Sequence, residues 1–193
     1  AAVTAWNALV EKGNLRSGET VLLQGTGGVS LFALQIAKLR GARVIITSSS
    51  DEKLQRAKAI GADELINYRQ TPEWDKRVRE LMGGRGVDHI VEVGGAGTMP
   101  LSLKSVRMGG SIYTIGVVSG ADPINFVPVF MRSLRLQGIY VGSRAMFERM
   151  NAAFSEHSVH PAIDRVFPFE DLKGALAHMR TDSHFGKICL QMR

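Results

Sequence analysis

Apolar residues in this chain fall into two alternating kinds of run. Short apolar-rich runs occur at Val21–Leu23, Arg43–Thr47, Glu64–Asn67, Val87–Val93, Gly110–Ile115 and Leu134–Val141, most of them bounded by glycine or polar residues. They read as strands, and their lack of polar alternation predicts burial on both faces. Between them, apolar residues recur at intervals of three and four, the spacing of a helix packed on one side. Val29–Arg40 is the clearest case, with Val29, Phe32, Ala33, Ile36, Ala37 and Leu39. Asp51–Ile60, Glu73–Met82, Thr98–Met108 and Ala145–His157 follow the same pattern. The opening residues also read as helix, with Ala5, Trp6, Leu9 and Val10 on one face and Gly13 as its C-cap. Beginning without Met inside a helix, the chain reads as part of something longer.

Strands alternating with helices predict a parallel sheet covered on both faces, and right-handed crossovers make it doubly wound. Residues 1–165 are expected to hold this six-stranded α/β domain. The tail, residues 166–193, departs from the pattern. It reads as an extended stretch at Val166–Phe169, a helix at Glu170–Met179 and a strand at Gly186–Met192, lying beyond a complete sheet and packing on a neighbouring domain. Ligands of such sheets lie outside the strands' C-terminal ends. The loops 25–30, 48–53, 94–97, 116–118 and 142–144 are therefore the candidate site, with Gly94 among them.

The first of these loops carries a motif. After the Val21–Leu23 strand come Gly25, Thr26, Gly27, Gly28, Val29 and Ser30, and then a helix. Strand, glycine turn and helix form the dinucleotide-binding fingerprint of the Rossmann arrangement. Gly25 permits the tight turn, Gly27 admits a pyrophosphate close to the backbone, and a third small residue lets helix and strand pack. Here that third residue is Ser30 rather than glycine. The helix N-terminus would then present free N–H groups to the phosphates.

The residue ending the second strand reads the adenosine ribose. A carboxylate there holds a 2′-hydroxyl and repels a 2′-phosphate. This chain has Ser48, followed by Ser49, Ser50 and, one helical turn on, Lys53. Hydroxyls and an ammonium at a helix N-terminus suit a phosphate dianion, which favours NADP(H) over NAD(H). Asp51 lies in the same loop and is read as compensating the helix dipole. A methyltransferase using a similar turn would want an acid where Ser48 stands.

Composition narrows the setting. The 193 residues carry a net charge of +6, one cysteine and no apolar run of about eighteen residues that would span a membrane. Cys189, within Ile188–Leu190, reads as core, and a lone cysteine without a signal peptide points to the cytoplasm. Basic residues are scattered rather than interleaved with aromatics, so neither nucleic acid nor membrane is an expected partner. His157 and His160 are spaced like a helical metal pair, but Pro161 ends that helix and no carboxylate joins them. His89 reads as a structural hydrogen-bonding residue, and the Phe126–Met131 stretch fits either core or a subunit contact beside the sixth strand.

Several spaced segments resemble the medium-chain dehydrogenase/reductase superfamily, the zinc-type alcohol dehydrogenases and zinc-free quinone reductases. They are Thr4-Ala5-Trp6 with Leu9, Gly18-Glu19-Thr20-Val21-Leu22, the glycine turn, Gly61-Ala62-Asp63, Gly86-Val87-Asp88 and His184-Phe185-Gly186-Lys187-Ile188. The resemblance implies a cofactor domain following a GroES-like catalytic domain, with remnants of the latter at both ends of this chain. The family's zinc ligands and proton relay would precede Ala1, so no catalytic or metal residue is assigned here, although the whole enzyme could hold zinc. It implies 2′-phosphate contacts at Ser48 and Lys53, with Tyr68 a further candidate, beside Ser49 from the reading of the loop above. Thr4 would pack on the nicotinamide. Backbone at Ile115, Gly116, Val117, Val141 and Gly142 would fix its amide. A homodimer through Leu134–Tyr140 is expected. The implied activity is hydride transfer between NADP(H) and an alcohol, aldehyde, ketone or quinone, the alternative being a dinucleotide-binding module without turnover.

Overall fold

The computed structural model describes residues 1–116 and 123–192. Helix α1 (Ala2–Trp6) runs into a π-helical turn over Asn7–Lys12. Then come β1 (Thr20–Gln24), α2 (Gly28–Leu39), β2 (Arg43–Ser48), α3 (Asp51–Ala59), β3 (Glu64–Asn67), α4 (Trp74–Leu81), β4 (Val87–Glu92), α5 (Met99–Ser105), β5 (Val106–Thr114), α6 (Val127–Met131), β6 (Arg135–Gly138) and α7 (Arg144–Glu156). β7 (Ile163–Pro168), α8 (Leu172–Arg180) and β8 (Lys187–Gln191) complete the chain.

The first six strands form one parallel sheet in the order β3-β2-β1-β4-β5-β6. β1 is wholly buried because its side chains go to both faces. Val21 and Leu23 join α1, α2 and α7 in one core, while Leu22 meets Trp74, Val78, Met99 and Leu103 in the other. Such burial explains why the middle of β1 reads as an unbroken apolar run. β7 and β8 make a separate parallel pair, with β7 beginning at Ile163. Among the described residues no helix is long and apolar enough to cross a membrane.

Local departures have physical causes. α5 stops at Ser105, well short of Met108, because Val106 already pairs with Val87 as the start of β5. β6 is shorter than its apolar run. The stretch before it is not core: Phe126, Val127, Phe130 and Met131 are exposed on and beside α6. Gly13 follows the first helix without a left-handed backbone. The left-handed residue is Asn14, at φ 46°. Gly13 is needed for space, since a Cβ there would lie 2.7 Å from the Tyr113 hydroxyl. His89 is structural, its Nδ1 2.8 Å from that hydroxyl and its Nε2 3.0 Å from Glu19. Cys189 is only half-buried, in β8.

At the N-terminal end of the sheet, Asp88 ties three strands together. It accepts from Thr20 N at 2.9 Å, from Arg85 and from Arg107 Nε at 2.6 Å. Burial pushes its carboxyl up, but the two guanidinium groups and the amide outweigh that and hold it below the ordinary aspartate value. A depressed folded pKa contributes stability above about pH 3.9 that is lost as pH falls through the folded value. Asp88→Asn is therefore expected to lower the urea midpoint at pH 7, with the gap to the unaltered chain narrowing by pH 3. A gap of constant size would contradict this linkage.

Candidate dinucleotide-binding site

The site is built on the junction of β1 and α2. Gly25 sits at φ 70° with its N–H donated to the Thr47 carbonyl at 2.8 Å. Gly27 is the N-cap of α2, and no side chain caps that helix. A Cβ added at Gly25 or Gly27 would project into open space rather than into protein. The bare, uncapped N-terminus of a twelve-residue helix thus faces a groove, the geometry that accepts phosphate. A Cβ at Gly28 would instead strike the Lys187 side chain, which places that ammonium beside the same helix end.

Ser30 does more than keep the packing close. It is buried and donates its hydroxyl to the Gln24 carbonyl at 2.6 Å, locking the end of β1 to the first turn of α2. Gln24 in turn reaches β4 and α5. Its Nε2 donates to Glu92 at 2.7 Å and lies 2.8 Å from the Ser102 hydroxyl, while its Oε1 accepts from the amides of Val93 and Gly94. Glu92 is fully buried and also accepts from Gly94 N at 2.9 Å, Gly95 N at 3.1 Å, Thr98 Oγ1 at 2.5 Å and the Ser102 hydroxyl.

Around this junction lies a cavity of about 490 Å³ that brings together most of the expected residues. Gly25, Thr26, Gly27, Gly28, Val29, Ser48, Ser49, Lys53 and Tyr68 all line it. An adjoining cavity of about 390 Å³, lined by Tyr68, Trp74, Gly94 and Leu101 among others, shares Gln24, Gly25, Tyr68 and Val93 with the first. Ser48 is buried, its Oγ accepting from Ser50 N at 3.4 Å, and Ser50 caps α3 by accepting from Lys53 N. Asp51 is turned away from the groove, its carboxylate taken up by Asn67 and Gln70 at 2.8 Å each.

The tail supplies a wall that sequence reasoning missed. Gly186 N donates to the Thr26 carbonyl at 3.0 Å, and Gly186 bridges Gly27 in parallel. Asp182 and His184 line the cavity, and the Asp182 carbonyl accepts from Lys53 Nζ at 2.5 Å. The signal was present in the His184–Ile188 segment, which carries the family resemblance, yet nothing local reveals that it folds back on residue 26.

The remaining expected residues fall elsewhere at the C-terminal end of the sheet. Thr4 is buried in α1. Ile115 and Gly116 donate their amides to the Glu92 carbonyl at 2.9 and 3.3 Å, and a Cβ on Gly116 would collide with the Val93 carbonyl. The Val141 carbonyl accepts from Asn7, and a Cβ on Gly142 would press on Val3. None of these lines the two cavities, and Val117 lies outside the described residues. Among the described residues no three His, Cys, Asp or Glu side chains converge to hold a metal ion, so zinc has no donor set here.

This fold, with an uncapped glycine turn at its centre, is that of a dinucleotide-binding Rossmann domain. A model of the zinc-binding dehydrogenase family matches residues 28–156, and the chain belongs to that family as a cofactor-binding domain of the medium-chain dehydrogenase/reductase superfamily. A zinc-type alcohol dehydrogenase-like protein of Schizosaccharomyces pombe is 42% identical over 200 residues, covering 100% of this chain and 58% of that protein. A crystal structure from Sinorhizobium meliloti 1021, assigned as an alcohol dehydrogenase, superposes with a TM-score of 0.93 at 46% identity, over 99% of this chain and 56% of that one. An NAD-dependent alcohol dehydrogenase superposes at 0.91 with 37% identity, over 100% and 56%. A mycobacterial protein complexed with NADPH superposes at 0.84 with 28% identity, over 99% and 63%. The chain thus spans little more than half the length of the relatives it matches.

The network at the junction makes a graded prediction. Ser30→Ala leaves the Gln24 carbonyl without its partner and is expected to cost about 1 kcal/mol in chemical denaturation. Glu92→Ala strands several buried donors together and is expected to cost about 3 kcal/mol or more. Equal, small losses for both would contradict the network's role.

Proposed function

We propose that this chain binds NADP(H) in the groove between α2, β2 and the tail and serves hydride transfer between that cofactor and an alcohol, aldehyde, ketone or quinone. The observation that carries the reading is the makeup of the groove around the end of β2. Ser48, Ser49, Lys53 and Tyr68 line it together with the uncapped glycine turn, and Asp51 is engaged on another face. Solved relatives include an NAD-dependent enzyme and an NADPH complex, so the preference rests on this local charge rather than on kinship.

Each part of the chain has a physical task in this reading. The α2 N-terminus and Lys187 neutralise the pyrophosphate. Lys53 and the serines hold the 2′-phosphate, with the Lys53 ammonium keeping donors to spare beyond the Asp182 carbonyl. Tyr68 stands where the two cavities meet, beside the apolar pocket suited to adenine. The cofactor, when bound, supplies the hydride, and the protein contributes position and electrostatics.

Two further expectations belong here. The protein is proposed to act as a homodimer through β6. That strand is an edge of the sheet, and the exposed Phe126, Phe130, Met131 and Tyr140 lie on either side of it. An uncovered edge with apolar neighbours favours pairing. Light scattering at micromolar concentration should report a dimer, and a monomer would count against it.

For the cofactor, Ser48→Asp is expected to raise the Kd for NADPH at least tenfold more than that for NADH, a difference of about 1.4 kcal/mol. Retained NADH binding doubles as the check on folding, and equal effects on the two would overturn the assignment. Oxidation of NADPH against aldehyde and quinone panels tests the hydride step, and binding without oxidation would favour the binding-module alternative.

A further inference from the structure

One backbone conformation near the end of β6 is costly and is held from two sides. Val141 adopts φ 50°, the left-handed region that a β-branched residue rarely enters. Such an outlier persists only where its surroundings enforce it, and it is a reason to look for function. The loop is gripped on one side by α1, because a Cβ on the next residue, Gly142, would come within 2.8 Å of Val3. The other grip is Asn7. This side chain is buried, and its Nδ2 donates to the Val141 carbonyl at 2.9 Å across 134 residues of sequence. The opposite oxygen, Asn7 Oδ1, is also buried and has no hydrogen-bond partner among the described residues. Asn7 is the first residue of the π-helical turn, a local widening that often accompanies functional sites.

A buried amide that leaves one of its own groups unsatisfied in order to hold a carbonyl is hard to explain by packing. An apolar side chain of similar size would fill the same space without an orphaned oxygen. We propose that Asn7 is a positioning residue: its bond to the Val141 carbonyl keeps Val141 left-handed and so sets the Tyr140–Gly142 backbone that receives the nicotinamide end of the cofactor. The inference rests on the NADP(H) reading above. It assigns the strain at Val141 to cofactor orientation, with Asn7 as the group that enforces it. Glycine enters the left-handed region without cost, so a glycine at 141 removes the need for Asn7.

The test separates the nicotinamide end from the rest of the cofactor. NADPH and 2′-phospho-ADP-ribose, which lacks the nicotinamide, are titrated calorimetrically against the full chain and its variants. Asn7→Ala is expected to weaken NADPH about tenfold and leave 2′-phospho-ADP-ribose unchanged. Adding Val141→Gly to Asn7→Ala should recover most of the lost NADPH affinity. If Asn7→Ala does not fold, Asn7→Ser carries the same expectation, since its hydroxyl is too short to reach Val141. Equal weakening of both ligands, or no recovery in the double variant, overturns the positioning role alone. Failure of the unaltered chain to bind either ligand overturns the NADP(H) reading, and this inference with it.

Discussion

A carboxyl group shut away from water must find hydrogen-bond partners within the chain, and Glu92 sets the terms for everything around it. Among the described residues its partners are neutral: two loop amides, two hydroxyls and the Gln24 side chain. Because these partners come from three pieces of chain, satisfying this one side chain fixes the end of β1, the loop after β4 and the first turns of α5 at once. The Glu92 main-chain carbonyl extends the arrangement to the end of β5 through Ile115 and Gly116. The glycine turn therefore hangs from a frame of hydrogen bonds made within the chain.

The architecture was legible because the central strands are buried on both faces. Val21–Leu23 had to be a continuous apolar run, and α2 had to carry a one-sided pattern. What failed to read were places where tertiary pairing outranked local preference. Val106 looks like the end of a helix until its pairing with Val87 is known. Phe126–Met131 fits either core or a subunit contact because composition does not say which apolar residues find a partner within one chain.

The site divides in the same way. The residues of the glycine turn and the end of β2, which line one cavity, could be named from the sequence because a phosphate ligand would constrain it locally: glycines where a backbone would be approached, serines and lysine where charge would be met. Gln24, Glu92 and Asn7 were not found, because a buried amide or carboxylate acts through neighbours distant in sequence and leaves no spacing to recognise. Asp182 and His184 were missed for a related reason. Their contact with Lys53 and the groove depends on how the β7–β8 unit docks. Part of that docking comes from Arg56, which pairs with Asp164 at 3.0 Å and lies over the Phe185 ring.

The bond from Gly186 to Thr26 also has a meaning in time. On the ribosome the glycine turn emerges first, and the residue that walls it follows about 160 residues later. At about 5–20 residues per second the gap is on the order of ten seconds. During that interval the helix end and its phosphate-seeking amides exist without their last wall. A nascent chain can therefore complete the sheet around β1 well before it owns a finished groove, and any premature ligand would meet a half-built cleft. The order of synthesis makes cofactor capture one of the last events in the maturation of this domain.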